Sequence, residues 1–210
     1  MNKPFEYLNT ITAGFGMILS YIGFIFLIIL ANKYGSYWHV IWCGVYGITL
    51  ILLHTSSTLY HGVASPKIKN KFHLMDQSCI YLLIAGTYTP IALINLYGIL
   101  GFSIFTAIWS LSILGIFLKI KNIKPFSNFE VFLCLFMGWF ALIGIKQLIN
   151  TMDMNGIILI FIGGLFFSIG VFFYKWERFR YSHAIWHLFY ISGCICHYLT
   201  IVAYTIPYKI

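Results

Sequence analysis

Residues 37–61 read YWHVIWCGVYGITLILLHTSSTLYH. A helix of this length rises about 38 Å, more than the roughly 30 Å of a bilayer's hydrocarbon layer. Its first two-thirds hold no charged side chain, so the stretch reads as a membrane span. The last turn and a half does not fit a lipid-facing surface. Ser57 and His61 stand one helical turn apart, on a face shared with His54.

The rest of the chain repeats the pattern. Of 210 residues, 60% are hydrophobic and 9% charged, an excess of apolar surface that no soluble domain of this size needs. Polar or basic clusters break the hydrophobicity into seven spans near 12–32, 37–61, 72–95, 98–118, 127–149, 155–174 and 182–205. The fold class is an all-α membrane protein, a single seven-helix bundle. The apolar stretch from Ile11 to Ala31 is too long for a signal-peptide core and no small-x-small cleavage site follows it, so it reads as a retained span. No repeat, linker or soluble domain is expected.

Orientation follows from the cations. Lys3, Lys67, Lys69, Lys71, Lys119, Lys121, Lys124, Lys175, Arg178 and Arg180 fall at one side, against Lys33, Lys146 and Lys209 at the other. This bias predicts a cytoplasmic N-terminus and an outer C-terminus, in a multi-pass protein of the cell membrane. The net charge of +8 is then explained by topology and by anionic lipid headgroups at the cytoplasmic face, with no call for nucleic acid. Five cysteines, at 43, 79, 134, 194 and 196, fall inside spans without a CxxC pair and read as small core residues.

Four of the five acids, Glu6, Glu130, Asp153 and Glu177, fall in or beside expected loops, whereas Asp76 lies within the third span. An intramembrane carboxylate marks a site or a buried pair, here with Lys69 or Lys71 as the bland partner. The seventh span opens SHAIWHLF, placing His183 and His187 at i and i+4 on one face. Alone, each feature has an ordinary explanation, interfacial histidines at headgroup level among them. Topology brings them to one depth: Ser57 and His61 end the second span inside, while Asp76 and the His183–His187 pair begin spans that start inside.

Three imidazoles at that level suit Zn²⁺ with a fourth position open. Asp76 would serve as general base and Ser57 would hold water or polarise a carbonyl. His54 lies about 10 Å deeper than His61 and reads as a hydrogen-bonded core residue or a cavity wall. His197 lies about 15 Å beyond His187 and His39 is at the outer end, so both are excluded as ligands. His73 is a reserve ligand or rim residue. Pro90 predicts a kink, with Thr87 and Thr89 serving the freed carbonyl. Gly14, Gly16, Gly163, Gly164 and Gly170 predict close helix approach.

The segments SSTLYH (56–61), LMDQSCIYLLIAGTYTP (74–90) and SHAIWHLF (182–189), together with FEYLNTITAGFG (5–16), resemble the bacterial hemolysin III-type proteins. These belong to the progestin and adipoQ receptor family, which includes the adiponectin receptors. The resemblance implies a seven-helix bundle with zinc near the cytoplasmic leaflet, held by His61, His183 and His187, with Asp76 and Ser57 at the zinc's water. The wider superfamily includes alkaline ceramidases, which implies hydrolysis of a lipid amide. Two positions depart from the family pattern: Gln77 and Ala13 stand where relatives often carry histidine. Neither departure falls on an expected ligand.

Three functions are therefore in play. One is a zinc-dependent hydrolase of a membrane lipid amide or ester. Another is a membrane-state sensor or regulator in which zinc ties spans two, three and seven together. The third, a cytolytic protein, sits poorly with spans that are apolar nearly all round, because pore formers need amphipathic segments.

Overall fold

The computed structural model describes residues 3–121, 126–176 and 178–208. Lys124, Glu177 and Lys209, together with the side chain of Lys3, lie outside what it describes. Among the described residues every regular element is helical, and seven helices are long and apolar enough to cross a membrane. They cover Glu6–Tyr34, Tyr37–Gly62, Pro66–Asn95, Gly98–Ile120, Phe129–Thr151, Met154–Lys175 and Ser182–Thr205.

Each span packs on its chain neighbours and the seventh returns to the first, closing a ring. The third span is the most enclosed, with 67% of its apolar window buried against 22% for the first, fifth and sixth. Short loops explain the neighbour-to-neighbour order, since helices joined by few residues must pack antiparallel. Gly98 supplies the turn between the third and fourth spans at φ 67°, a conformation that side chains with a Cβ rarely adopt. Pro66 opens the third helix at its first turn, where a missing N–H costs nothing.

Two helices start earlier than hydropathy indicates. The first runs from Lys3 instead of about 12, and the third from Pro66 instead of about 72. Hydropathy misses these turns because they are polar. Glu6 consequently belongs to the first helix and not to a loop, and Glu130 belongs to the fifth, where Lys119 Nζ donates to its Oε2 at 2.6 Å. Pro90 does not end its helix: the chain continues through a π-helical turn over Ile91–Asn95. Thr87 and Thr89 donate to Leu83 and Ala85, not to the Gly86 carbonyl that Pro90 deprives of its N–H. The fifth span tightens to a 3-10 helix over Trp139–Gly144, where the Tyr88 hydroxyl donates to Gly138 O and accepts from Ala141 N.

The expected close approaches fall on Gly16, Gly163 and Gly170. A Cβ there would lie 2.2 Å from the His54 ring, 2.5 Å from the His197 ring and 2.8 Å from Trp186. At Gly164 the nearest atom would be 3.3 Å away and at Gly14 3.8 Å, so Gly14 makes only ordinary contact. All five cysteines are free, with Cys43, Cys79 and Cys194 buried.

Candidate metal centre and adjoining cavity

His61 sits in the last turn of the second span, one residue before the helix ends at Gly62. His183 and His187 occupy the first two turns of the seventh. Antiparallel packing brings these ends together at the basic side of the bundle. One nitrogen from each ring lies within 4.8 Å of the other two. His61 Nε2 is 3.1 Å from His183 Nε2. The ring centroids are 4.8, 5.1 and 4.7 Å apart, and every pair is steeply inclined, at 62°, 66° and 69°. This is a three-bladed arrangement around one point.

The donor set fits zinc. Tetrahedral zinc with bonds of about 2.0–2.1 Å holds its nitrogens about 3.3 Å apart, and the His61–His183 pair is already close to that. The outward nitrogens of His61 and His187 are occupied as those of metal-bound imidazoles usually are. His61 Nδ1 faces Glu6 Oε1 at 3.3 Å, and His187 Nδ1 lies 2.8 Å from Thr12 Oγ1. A carboxylate can only accept, so His61 carries its proton on Nδ1 and turns the Nε2 lone pair inward. Any metal would be held by His61, His183 and His187, leaving room for a fourth ligand.

Asp76 is held on the third span beside the Ser57 hydroxyl, four residues before His61. Both line an apolar cavity of about 130 Å³ that runs between the second, third, fifth, sixth and seventh spans. Its walls include Leu83, Tyr88, Trp139, Phe167 and Trp186, and it ends near His197. From the level of His187 to that of His197 is about 15 Å along the helix. The polar pair stands at one end of the cavity.

The bland partners fall away. Lys69 does not answer Asp76; its ammonium pairs with Glu6. His73 is exposed and stacks on Tyr60 at 4.8 Å, so it is no ligand in reserve. His54 is a hydrogen-bonded core residue, its Nδ1 2.9 Å from Leu50 O. His39 bonds Tyr208 O and the Ser36 amide at the outer end, and His197 lies beside Ile160 O at 3.3 Å.

Sequence reasoning missed five residues. Glu6, Asn9 and Thr12 recur every three residues on an otherwise apolar helix, a polar stripe that could have been read; Lys69 follows from Glu6. Tyr190, three residues beyond His187, lines the cavity and sets its ring perpendicular to His187 at 5.7 Å. Its buried hydroxyl makes no well-aligned hydrogen bond and has Ser57 and Asp76 as polar neighbours.

Comparison with known proteins finds relatives over most of the chain. The model of the haemolysin-III related family matches residues 1–198. The chain is 40% identical over 201 residues to the hemolysin-3 homolog of Bacillus subtilis (strain 168), covering 96% of this chain and 94% of that protein. It is 41% identical over 202 residues to hemolysin-3 of Bacillus cereus, covering 96% and 92%. It is also 30% identical over 173 residues to the monocyte to macrophage differentiation factor of Homo sapiens, covering 80% and 71%. A match over nearly the whole length, on a seven-span bundle, leaves one conclusion: the chain belongs to the haemolysin-III related family of multi-pass membrane proteins.

Proposed function

We propose that the protein is a zinc-dependent hydrolase that cleaves an amide or ester of a membrane lipid drawn from the cytoplasmic leaflet. The observation that carries this reading is a three-histidine cluster one helical turn from Ser57, which together with Asp76 lines one end of an apolar cavity. Bound zinc supplies a Lewis acid that polarises a carbonyl and lowers the pKa of a coordinated water.

The chain's own residues do the rest. The cavity takes up the hydrocarbon part of the lipid, each buried methylene contributing about 0.8 kcal/mol. Burial of the chain positions the scissile carbonyl at the Ser57–Asp76 end. Asp76 accepts the proton of the attacking water and later returns it to the leaving amine or alcohol. The Ser57 hydroxyl donates to the carbonyl oxygen as negative charge builds there. Water is consumed, the acyl–N or acyl–O bond breaks, and a carboxylic acid and an amine or alcohol leave.

The test is metal analysis followed by turnover of a panel of long-chain N-acyl amides and acyl esters in detergent. About one zinc per chain is expected, with Asp76→Asn keeping the metal and losing about 10²–10⁴ in turnover. Zinc retained in a triple alanine variant of His61, His183 and His187 would show the assignment of the site to be wrong. Unchanged signalling in Asp76→Asn with its metal retained, together with no turnover by the wild type, would favour the membrane-sensor reading, in which the metal only ties helices together.

A further inference from the structure

The first span is among the least enclosed of the bundle. It faces the outside over most of its length, yet places Glu6 and Thr12 against the histidines of two other spans. We infer that the first span supplies the outer coordination sphere of the metal centre. In this arrangement Glu6 and Thr12 act as positioning residues, each holding a ring Nδ1–H so that the opposite nitrogen faces the metal, and Lys69 anchors Glu6. The inference rests on the metal reading above and adds residues to it.

The hydrogen-bond arithmetic supports it. Thr12 has one hydroxyl proton, and that proton lies toward backbone carbonyls: Leu8 O at 3.0 Å and Asn9 O at 3.1 Å. The oxygen facing His187 Nδ1 at 2.8 Å is therefore an acceptor, and the imidazole is the donor. His187, like His61, is held as the Nδ1–H tautomer. Two rings from two helices are thus fixed in the same tautomer by one helix, with acceptors six residues apart. With both protons outward, the two Nε2 lone pairs point into the same small space, an arrangement that is repulsive without a cation to share.

Lys69 completes the device. It opens the third helix at the same level, and its ammonium donates to the same Glu6 oxygen that faces His61. A carboxylate gripped from two sides has little freedom to rotate away from the imidazole. The Lys69–Glu6–His61 chain also joins three spans that the metal ligands alone do not join, since the ligands come only from the second and seventh.

The experiment is zinc affinity, measured by chelator competition on full-length protein in detergent, with the thermal midpoint recorded in chelator excess as a separate readout. Glu6→Ala is expected to weaken zinc by about 10–100-fold. Glu6→Gln, which retains a neutral acceptor, should lose less, and Lys69→Met less again. Thr12→Val, close to isosteric, should weaken zinc several-fold and provides the test if Glu6→Ala fails to fold. A purely structural role predicts instead a lower midpoint in chelator with unchanged zinc affinity, and that result in Glu6→Ala or Thr12→Val overturns the inference. Absence of zinc from the wild type would overturn the metal reading itself, and this inference with it.

Discussion

Two sets of histidines share this bundle, and each has two buried rings and one half-buried ring. His39, His54 and His197 each lay a ring nitrogen against a backbone carbonyl, at Tyr208, Leu50 and Ile160. His61, His183 and His187 lay theirs against one another, a carboxylate and a hydroxyl. Exposure does not separate the sets, since His39 and His54 are 2% exposed and His61 and His187 are 4% and 1%. What separates them is the direction of the nitrogen that remains. A ring spent on a carbonyl satisfies the fold, whereas rings turned toward a common point are placed to share a cation. Buried histidine is therefore weak evidence for a site, and convergent histidine is strong evidence.

The largest effect should come from crossing that line. His61→Ala is expected to cost at least about 100-fold in zinc affinity, beyond what loss of an outer partner costs. His54→Ala should leave zinc affinity within about threefold, because its ring makes no part of the cluster. It should nonetheless destabilise the fold by about 1–3 kcal/mol, through the cavity left in the core and the lost packing on Tyr190. Paired zinc titrations and thermal scans on the two variants check both halves. A His54→Ala protein that loses zinc as His61→Ala does would erase the distinction.

A smaller effect probes the structural set from the packing side. Gly163 admits the His197 ring so closely that an added Cβ would lie 2.5 Å from it. Gly163→Ala should destabilise by about 1–3 kcal/mol by forcing the sixth and seventh spans apart at mid-depth. Zinc binding should be unchanged, because the cluster lies about 15 Å away along the seventh span. Thermal unfolding and metal content measured on the same preparation separate the two outcomes. Loss of metal would mean that the two ends of the seventh span are coupled.

Much of this was legible in the sequence, for identifiable reasons. Seven spans could be counted because a membrane helix needs a continuous apolar run, and the run between Tyr37 and Leu53 leaves no other reading. His61, His183 and His187 could be brought together because alternate helix ends must lie on one side. What could not be read was anything polar that extends a helix past its hydrophobic run. Glu6 looked like a loop acid because hydropathy sees only the apolar part of a helix, and its role became visible only when the first helix was seen to begin at Lys3. The partner of Lys69 was mistaken for the same reason. The π-helical turn after Pro90 has no sequence signature beyond the proline, which predicts a disturbance but not its form.

Tyr190 marks the boundary between the two sets, and the smallest effect is expected there. Its ring touches His54 of the structural set at 5.2 Å and His187 of the cluster at 5.7 Å. Its hydroxyl is buried with no well-aligned hydrogen bond, only Ser57 and Asp76 as polar neighbours, so its desolvation is poorly offset. Tyr190→Phe keeps both ring contacts and removes that cost. The expected result is a gain of about 1 kcal/mol, a rise of roughly 2–4 °C in thermal midpoint for a chain of this size. A native protein keeps such a group when something else uses it, and the hydroxyl stands beside Ser57 and Asp76, where the carbonyl of a bound lipid would lie. The same variant should therefore raise KM for a long-chain lipid amide several-fold while leaving zinc content unchanged. A stabilised Tyr190→Phe with an unaltered KM would assign Tyr190 to the structural set, and a destabilised one would show its hydroxyl already satisfied within the fold.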